Sequence, residues 1–197
     1  MFSTVTAIPR PIREFWEVHE WRHASTVLAN AFPDEWEDLV TVMTEFQFTR
    51  SDIVDPGRNK STVPLRIDQA LAARGWIETG FDTQIVVDGK SHPSPTHAID
   101  CFKNRVGLEV EWNNKDTFFD RDLNNFRLLH QLDILSVGVI LTRATELQLL
   151  IASLGRQKSF GSSTTHIRRL LPKIEGGGAG GCPVLVLGIT KKLYQGD

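Results

Sequence analysis

The spacing of apolar residues predicts two amphipathic helices in the first part of the chain. Apolar residues recur at helical spacing over residues 36–46, where Asp34 is placed to cap the first turn, and again over residues 65–73, a run that stops near Gly75. The stretch between them, residues 49–62, is polar and contains a Pro-Gly turn signal. We therefore expect two helices joined by an exposed, mobile and basic loop.

After residue 81 the pattern changes to short apolar runs that are typical of strands. Helical periodicity returns between these runs, over residues 118–132 and 144–154. A tight polar turn at residues 103–105 predicts an antiparallel hairpin, whereas strands that are separated by helices return parallel. The order predicts an α/β fold with a mixed β-sheet flanked by α-helices. The predicted strands cover residues 84–87, 97–102, 106–112, 136–142 and 184–189.

Length and composition point to one globular domain over residues 1–197. A chain of 197 residues that is 41% hydrophobic can bury one sizeable core and is short for two. Its two cysteines, Cys101 and Cys182, form neither a disulfide framework nor a zinc-binding pattern. Because the chain has no apolar run of about 18 residues and no signal-peptide core, we expect a cytoplasmic protein without a membrane segment.

The net charge of −2 hides an uneven distribution of charged residues. Residues 1–48 carry three basic and eight acidic side chains, whereas residues 143–173 carry six basic side chains and one acidic one. The composition excludes a polycation that coats nucleic acid by charge alone. A polyanion would instead meet the basic surface that we expect around residues 143–173.

A group of carboxylates in the hairpin is the candidate chemical site. In a strand over residues 106–112 side chains alternate between faces, so Glu109 and Glu111 project the same way. The turn before this strand can bring Asp100 beside them. Three adjacent carboxylates repel one another unless a cation neutralises them, and oxygen ligands suit Mg²⁺ or Mn²⁺. The spacing alone leaves open an alternative, in which the hairpin's acidic residues only face solvent.

The same stretch resembles the PD-(D/E)xK nuclease superfamily, and more closely the type II restriction endonucleases of the BglII and BstYI group. The core of that group reads Asp, eight intervening residues, Glu, Val, Gln. The interval from Asp100 to Glu109 is the same, and Glu-Val-Glu stands where the group has Glu-Val-Gln. Weaker similarity on both sides extends the resemblance over most of the chain, which implies a restriction-endonuclease-like core.

The resemblance also implies an activity. It implies Mg²⁺-dependent hydrolysis of phosphodiester bonds in double-stranded DNA by a homodimer, with Mn²⁺ able to replace Mg²⁺. The expected target is a short palindrome centred on GATC that is cut to leave a 5′ overhang. Two alternatives remain open: a repair or modification-dependent DNA nuclease, and a non-catalytic DNA-binding module with the same fold.

Two positions depart from the pattern. Glu111 stands where the superfamily has Lys and the group has Gln, and Ile99 replaces the proline before the first Asp. A carboxylate cannot supply a positive charge, so Glu111 would act as a general base or as a further metal ligand.

The resemblance implies the remaining roles residue by residue. Asp100, Glu109 and the backbone carbonyl of Val110 would hold the metal, while Glu111 would position or deprotonate the attacking water. An upstream polar residue that assists the metal falls on Glu78 or Thr79. We favour Glu78, because a carboxylate can hold a water beside a metal ion.

Two segments are candidates for DNA recognition. Asn113, Asn114 and Lys115 follow the strand directly, and such side chains can bind adenine and guanine edges in the major groove. The alternative is a polar turn in which Asp116 caps the next helix. The second segment, residues 158–169, combines short hydroxyl side chains with basic ones, and its alternative is a solvated loop before a helix. Its candidate residues are Ser162, Ser163, Thr164, Thr165, His166 and Arg168.

The remaining features are expected to be structural. The glycine-rich run over residues 176–181 lacks the motif of a phosphate-binding loop and predicts a flexible connector, which could lie near the DNA minor groove. His97 and the other histidines weighed with it show no metal-ligand spacing. Trp16 and Trp21 are expected in helical contexts, as packing residues.

Overall fold

The structure, a computed structural model, describes residues 7–55, 61–93 and 96–196. Its centre is a six-stranded mixed sheet in the order β1-β8-β7-β6-β5-β2, and β3 and β4 form a separate exposed hairpin. The strands are β1 (Trp16–Trp21), β2 (Ile77–Thr79), β3 (Gln84–Val87), β4 (Lys90–Pro93), β5 (Ile99–Lys103), β6 (Val106–Glu111), β7 (Val137–Arg143) and β8 (Val184–Ile189). The helices are α1 (Arg10–Phe15), α2 (Ala24–Ala31), α3 (Pro33–Glu45), α4 (Arg50–Val54), α5 (Thr62–Ala72), α6 (Phe118–Gln131), α7 (Leu147–Ser153) and α8 (Ile167–Glu175).

The sheet is parallel in its middle and antiparallel on both sides. β6, β7 and β8 run parallel, because helices and loops separate them along the chain, whereas β5 pairs antiparallel with β6 and β1 pairs antiparallel with β8. The predicted mixed α/β fold is confirmed, and the five predicted strands are found with bounds that differ by at most two residues.

Helices cover both faces of the sheet, so each central strand is buried on two sides. Along β7, Val139 and Leu141 pack in one apolar cluster with helices α1 to α5, whereas Ile140 packs in a second cluster with α6 and α8. Every residue of β7 and β8 is buried, which explains why these strands are continuous apolar runs. None of the helices in the described parts of the chain has the length and apolar character needed to span a bilayer.

Contacts distant in sequence account for the elements that the pattern missed. Trp16 and Trp21, expected in helices, are the two ends of strand β1, where they pair with Ile189 and Val184 of β8. These partners lie more than 160 positions away along the chain, so no local periodicity could indicate the strand.

Asp34 does not cap α3, because the helix begins one residue earlier at Pro33, which occupies its first turn.

The loop expected over residues 49–62 is partly helical. Helix α4 begins after Thr49, and Thr49 and Asp52 form a reciprocal capping box. Asp52 is buried and accepts a hydrogen bond from Arg66 of α5 at 2.5 Å, so this part of the segment is attached to the core. Residues 56–60 of the predicted loop lie outside the described residues.

The glycine-rich run, expected to be a flexible connector, is a series of hydrogen-bonded turns between α8 and β8. Ala179 within it is buried. A Cβ atom at Gly180 would lie 2.7 Å from the side chain of Arg127, and one at Gly178 would lie 3.1 Å from Leu123. The glycines therefore permit close packing against α6, and Gly180 also adopts a positive φ of 57°.

Candidate functional site

The turn between β5 and β6 brings the predicted carboxylates together. Asn104 and Arg105 both have positive φ angles, 42° and 68°, as a tight hairpin turn requires. The chain reverses there, so Asp100 near the start of β5 lies beside Glu109 of β6. The backbone N–H of Asp100 donates to Glu109 Oε2 at 3.4 Å.

A bulge in β5 sets the position of Asp100. Ile99 and Phe102 are three positions apart and yet pack in the same apolar cluster, which a regular strand does not allow. The register of β5 against β2 shifts by one residue over this interval, which is the signature of a β-bulge. Within it, Asp100 Oδ2 accepts a hydrogen bond from the backbone N–H of Val110 at 3.0 Å.

Glu109 and Glu111 share one face of β6, as predicted, but they do not face solvent. Only 1% of Glu109 and 2% of Glu111 is exposed. The alternative of a hairpin with solvated acidic side chains is therefore wrong for these two residues. Buried carboxylates are costly unless they are neutralised, so their burial points to a bound cation or to protonation.

Two residues that sequence reasoning did not assign complete this cluster. Asp122 of α6 is fully buried, and its carboxylate, that of Glu109 and the imidazole of His97 place ligand atoms within 4.8 Å of one another. The sequence did contain a signal for Asp122. It is an acidic residue on the apolar, core-facing side of the helix, between Phe119 and Phe126, and such a residue is buried when the helix packs. His97 precedes β5 in an irregular segment, so nothing in its spacing reveals the contact.

The cluster is electrostatically strained when no cation neutralises it. Burial, followed by the charge of Asp122, raises the pKa of Glu109 well above its usual range and that of Glu111 to about 8. Burial also raises the pKa of Asp122 to about 6, against the opposing effect of Arg121. Glu109 Oε1 and Asp122 Oδ2 are buried without a hydrogen-bond partner. Unpaired carboxylate oxygens in such a cluster fit a hard divalent cation.

Arg121 and Asn114 complete the environment of Glu111. The guanidinium of Arg121 lies 3.6 Å from Glu111 Oε1 and 3.0 Å from Asp122 Oδ1, and it stacks over the ring of Phe118. The side-chain amide of Asn114 donates to Glu111 Oε2 at 2.8 Å. A residue expected to read bases is thus in direct contact with a predicted catalytic carboxylate.

A cavity of about 300 Å³ opens beside these side chains. Asp100, Glu111, Asn113, Asn114 and Arg121 are among the residues that line it. A substrate group in the cavity would contact carboxylates, amides and one guanidinium, a combination that suits a phosphate accompanied by a cation.

Glu78 lies at the edge of the site. It is exposed on β2, whose neighbours Ile77 and Thr79 pair with Phe102 and Ile99 on either side of the bulge. Burial is the largest cause that lowers the pKa of His97, and the carboxylate of Glu78 acts against it. Glu78 is therefore near the cluster without belonging to its buried part.

The two segments expected to contact DNA lie side by side. Lys115 pairs with Thr164 in an isolated antiparallel bridge, and the backbone N–H of Thr165 donates to the carbonyl of Asn114 at 2.9 Å. The N–H of Asp116 bonds in the same way to the carbonyl of Ser163. Asp116 is not the N-cap of α6, because the helix begins two residues later.

Not all of the hydroxyl groups in the second segment are accessible. Ser162, Ser163 and Arg168 are exposed and His166 is half-buried, whereas Thr164 and Thr165 are buried. Thr164 Oγ1 accepts from the guanidinium of Arg143 and donates to a backbone carbonyl.

Arg143, counted among the basic residues of this region, is not part of a basic surface. It is 1% exposed, and it donates to the backbone carbonyl of Trp112 at 2.8 Å and to Thr164 Oγ1 at 2.5 Å. Its guanidinium also lies over the ring of Phe160. Arg143 therefore connects the end of β6 to the second segment, residues 158–169, through hydrogen bonds.

A comparison with models of protein families gives a match over most of the chain. The family model described as Restriction endonuclease BglII/BglIII matches residues 16–189, which includes the whole six-stranded sheet. No curated protein sequence matches the chain.

Proposed function

The chain belongs to the BglII/BglIII restriction endonuclease family, and from this premise we propose that it is a Mg²⁺-dependent enzyme that cuts both strands of DNA at a short palindrome. The observation that carries the proposal is the β5–β6 hairpin, whose carboxylates Glu109 and Glu111 are buried. It places Asp100 beside Glu109 and leaves one oxygen of Glu109 without a partner. A hard cation at this position would relieve the repulsion among the carboxylates and accept a phosphate oxygen.

Asp100, Glu109 and the backbone carbonyl of Val110 hold the metal in this proposal. The metal supplies Lewis-acid stabilisation of charge on the phosphate and leaving oxygens, and Mn²⁺ can substitute for Mg²⁺. Glu111 lines the cavity and takes the proton of the attacking water as the water oxygen adds to phosphorus and the bond to the leaving oxygen breaks. Glu78, at the edge of the site, assists by hydrogen-bonding water near the metal.

Sequence recognition is assigned to the paired segments beside the cavity. Asn113, Asn114 and Lys115 supply the amide and ammonium donors for base edges. From the second segment, Ser162, Ser163 and His166 supply further donors and acceptors, and Arg168 contacts a phosphate. We assign Thr164 and Thr165 to the support of this surface, because their side chains are buried in the described structure.

The proposed enzyme is a homodimer. The described residues of one chain carry one such cluster, and the two strands of DNA run antiparallel, so two copies related by a two-fold axis would cut a palindrome symmetrically. The proposed target is centred on GATC and is cut to leave a 5′ overhang.

The decisive experiment incubates unmethylated phage DNA with the protein and Mg²⁺ and maps the ends of the products by sequencing. Discrete fragments with a shared central sequence are expected, and only background degradation would refute site-specific cleavage. Asp100→Asn and Glu109→Gln should each lower the rate by about a thousandfold or more, since each removes a metal ligand. Glu37→Gln, an exposed substitution in α3, is the matched control. Parallel digestion of methylated DNA separates a restriction enzyme from a modification-dependent nuclease.

A further inference from the structure

Three separate elements converge on a point that the nuclease pattern does not describe. His97 precedes β5, Glu109 is in the middle of β6 and Asp122 is in the second turn of α6, yet their ligand atoms lie within 4.8 Å of one another. Metal ligands on opposite sides of an octahedral site lie about 4.2 Å apart when each bond is about 2.1 Å. Small side-chain rotations would bring the three ligands onto one ion.

Both carboxylates of this group have one oxygen fixed and one oxygen unpaired. Glu109 Oε2 accepts from the backbone N–H of Asp100, while Glu109 Oε1 is buried without a partner. Asp122 Oδ1 accepts from Arg121, while Asp122 Oδ2 is buried without a partner. Buried acceptors are rarely left unpaired. These two are satisfied either by protonation, since Asp122 and Glu111 share a side-chain hydrogen bond, or by a cation that also binds the nearby imidazole.

The backbone of His97 is held in place by a contact that involves no charge. Asn125, one helical turn after Asp122, is buried, and its side-chain amide donates to the backbone carbonyl of His97 at 2.8 Å. This bond attaches the irregular segment before β5 to α6. It therefore keeps the backbone of His97 close to the part of α6 that carries Asp122.

We propose that His97, Glu109 and Asp122 form a second cation site, which prefers transition-metal dications to Mg²⁺ because it adds one imidazole nitrogen to two carboxylate oxygens. Imidazole suits ions such as Zn²⁺, Fe²⁺ and Ni²⁺, whereas oxygen ligands alone suit both Mg²⁺ and Mn²⁺. Mn²⁺ serves below as the paramagnetic probe of the site. Glu109 also belongs to the proposed nuclease centre, so the inference rests in part on that function. His97 and Asp122 bind the second cation, whereas Asp100 and the carbonyl of Val110 bind only the metal of the proposed nuclease centre.

The test is pulsed electron paramagnetic resonance of Mn²⁺ bound to the full chain without an affinity tag. A directly bound imidazole adds a ¹⁴N modulation to the Mn²⁺ signal, and labelling the protein with ¹⁵N-histidine should replace it by a ¹⁵N modulation. This measurement needs neither DNA nor cleavage. His97→Gln should abolish the modulation, whereas His92→Gln, at an exposed position on β4, should retain it.

Asp122→Asn should weaken Mn²⁺ binding at this site by about tenfold to a hundredfold, measured by calorimetry. A metal-free thermal melt checks that each variant is folded. Absence of a nitrogen signal from the wild-type protein, or a signal that persists in His97→Gln, overturns the inference. Cleavage of DNA without the nitrogen signal would refute this site and leave the nuclease intact. A nitrogen signal without cleavage would support this site and refute the proposed nuclease activity.

Discussion

At the scale of single residues, the site is a set of carboxylic acids that are difficult to ionise. Glu111 sits at the end of β6 with 2% of its surface exposed, and burial is the main reason that its pKa rises to about 8. In the unfolded chain the same group titrates near 4.5. Between these two values the folded protein retains a proton that the unfolded chain has released.

The stability of the metal-free protein should therefore fall as the pH rises. Because the folded state binds more protons between pH 4.5 and about 8, the free energy of unfolding decreases through this window, by on the order of a few kcal/mol. Thermal melts in EDTA at pH 5, 6.5 and 8 measure the effect, and Glu111→Gln should flatten the dependence. Added Mg²⁺ should raise the melting temperature more at pH 8 than at pH 6. A melting temperature that increases over this range would contradict the prediction.

The roles proposed for Glu111 and Glu78 can be separated by the size of the defect. Glu111→Gln removes a general base and should slow single-turnover cleavage by about 10² to 10⁴-fold. Glu78→Gln changes an exposed side chain at the edge of the site and should slow cleavage less than about tenfold. Both variants should bind DNA as the wild type does. A larger defect in Glu78→Gln would reverse the two assignments.

At the scale of elements, the position of α6 against the sheet controls the carboxylate cluster. A Cβ atom at Gly138 of β7 would lie 2.3 Å from the ring of Phe126, in the same helix that carries Asp122. Gly138 is thus the residue that allows α6 to approach the sheet.

Gly138→Ala should push α6 outward, with a loss of about 1–3 kcal/mol in the free energy of unfolding from overpacking. It should also weaken Mn²⁺ binding, because Asp122 moves away from Glu109. Chemical denaturation and calorimetry measure the two effects. Gly161→Ala is the control for stability, since a Cβ atom there meets nothing within 4 Å. The double variant Gly138→Ala/Phe126→Leu should recover part of the loss, and no recovery would exclude the steric explanation.

The parts of the fold that were predictable are those that local spacing determines. The β5–β6 hairpin and α6 were found to within two residues at each end, because alternation, a polar turn and a helical stripe are all local signals. Strand β1 was missed, since it becomes a strand only by pairing with β8. His97 was missed for a related reason, because its contact with Asp122 depends on how β5 packs against α6.

At the scale of the whole molecule, the charge of the proposed DNA surface is smaller than the sequence suggests. Arg143 is buried, Lys173 pairs with Asp120 and Arg169 lies near Asp116. Lys158 and Arg168 are exposed basic side chains in the same region. Binding should therefore depend on a few phosphate contacts rather than on a broad positive field.

Salt titration of DNA binding tests this expectation. Arg168→Ala should reduce the slope of log K against log salt by about 1.8 for the proposed homodimer, since about 0.9 is lost with each of two phosphate contacts, with little change in the preferred sequence. Arg13→Ala, an exposed change in the acidic N-terminal region, should leave the slope unaltered. Equal slopes for the Arg168 variant and the wild type would remove Arg168 from the interface.

The buried guanidinium of Arg143 has a consequence for discrimination between DNA sequences. Through Trp112 and Thr164 it joins the strand that carries Glu111 to the loop that is proposed to read bases. A base sequence that displaces this loop would also displace the end of β6. An incorrect base sequence would then lower the cleavage rate of bound DNA as well as the affinity for that DNA. Near-cognate sites should be bound but left uncut, and loosening the connection through Arg143 should make the enzyme less accurate before it makes it inactive.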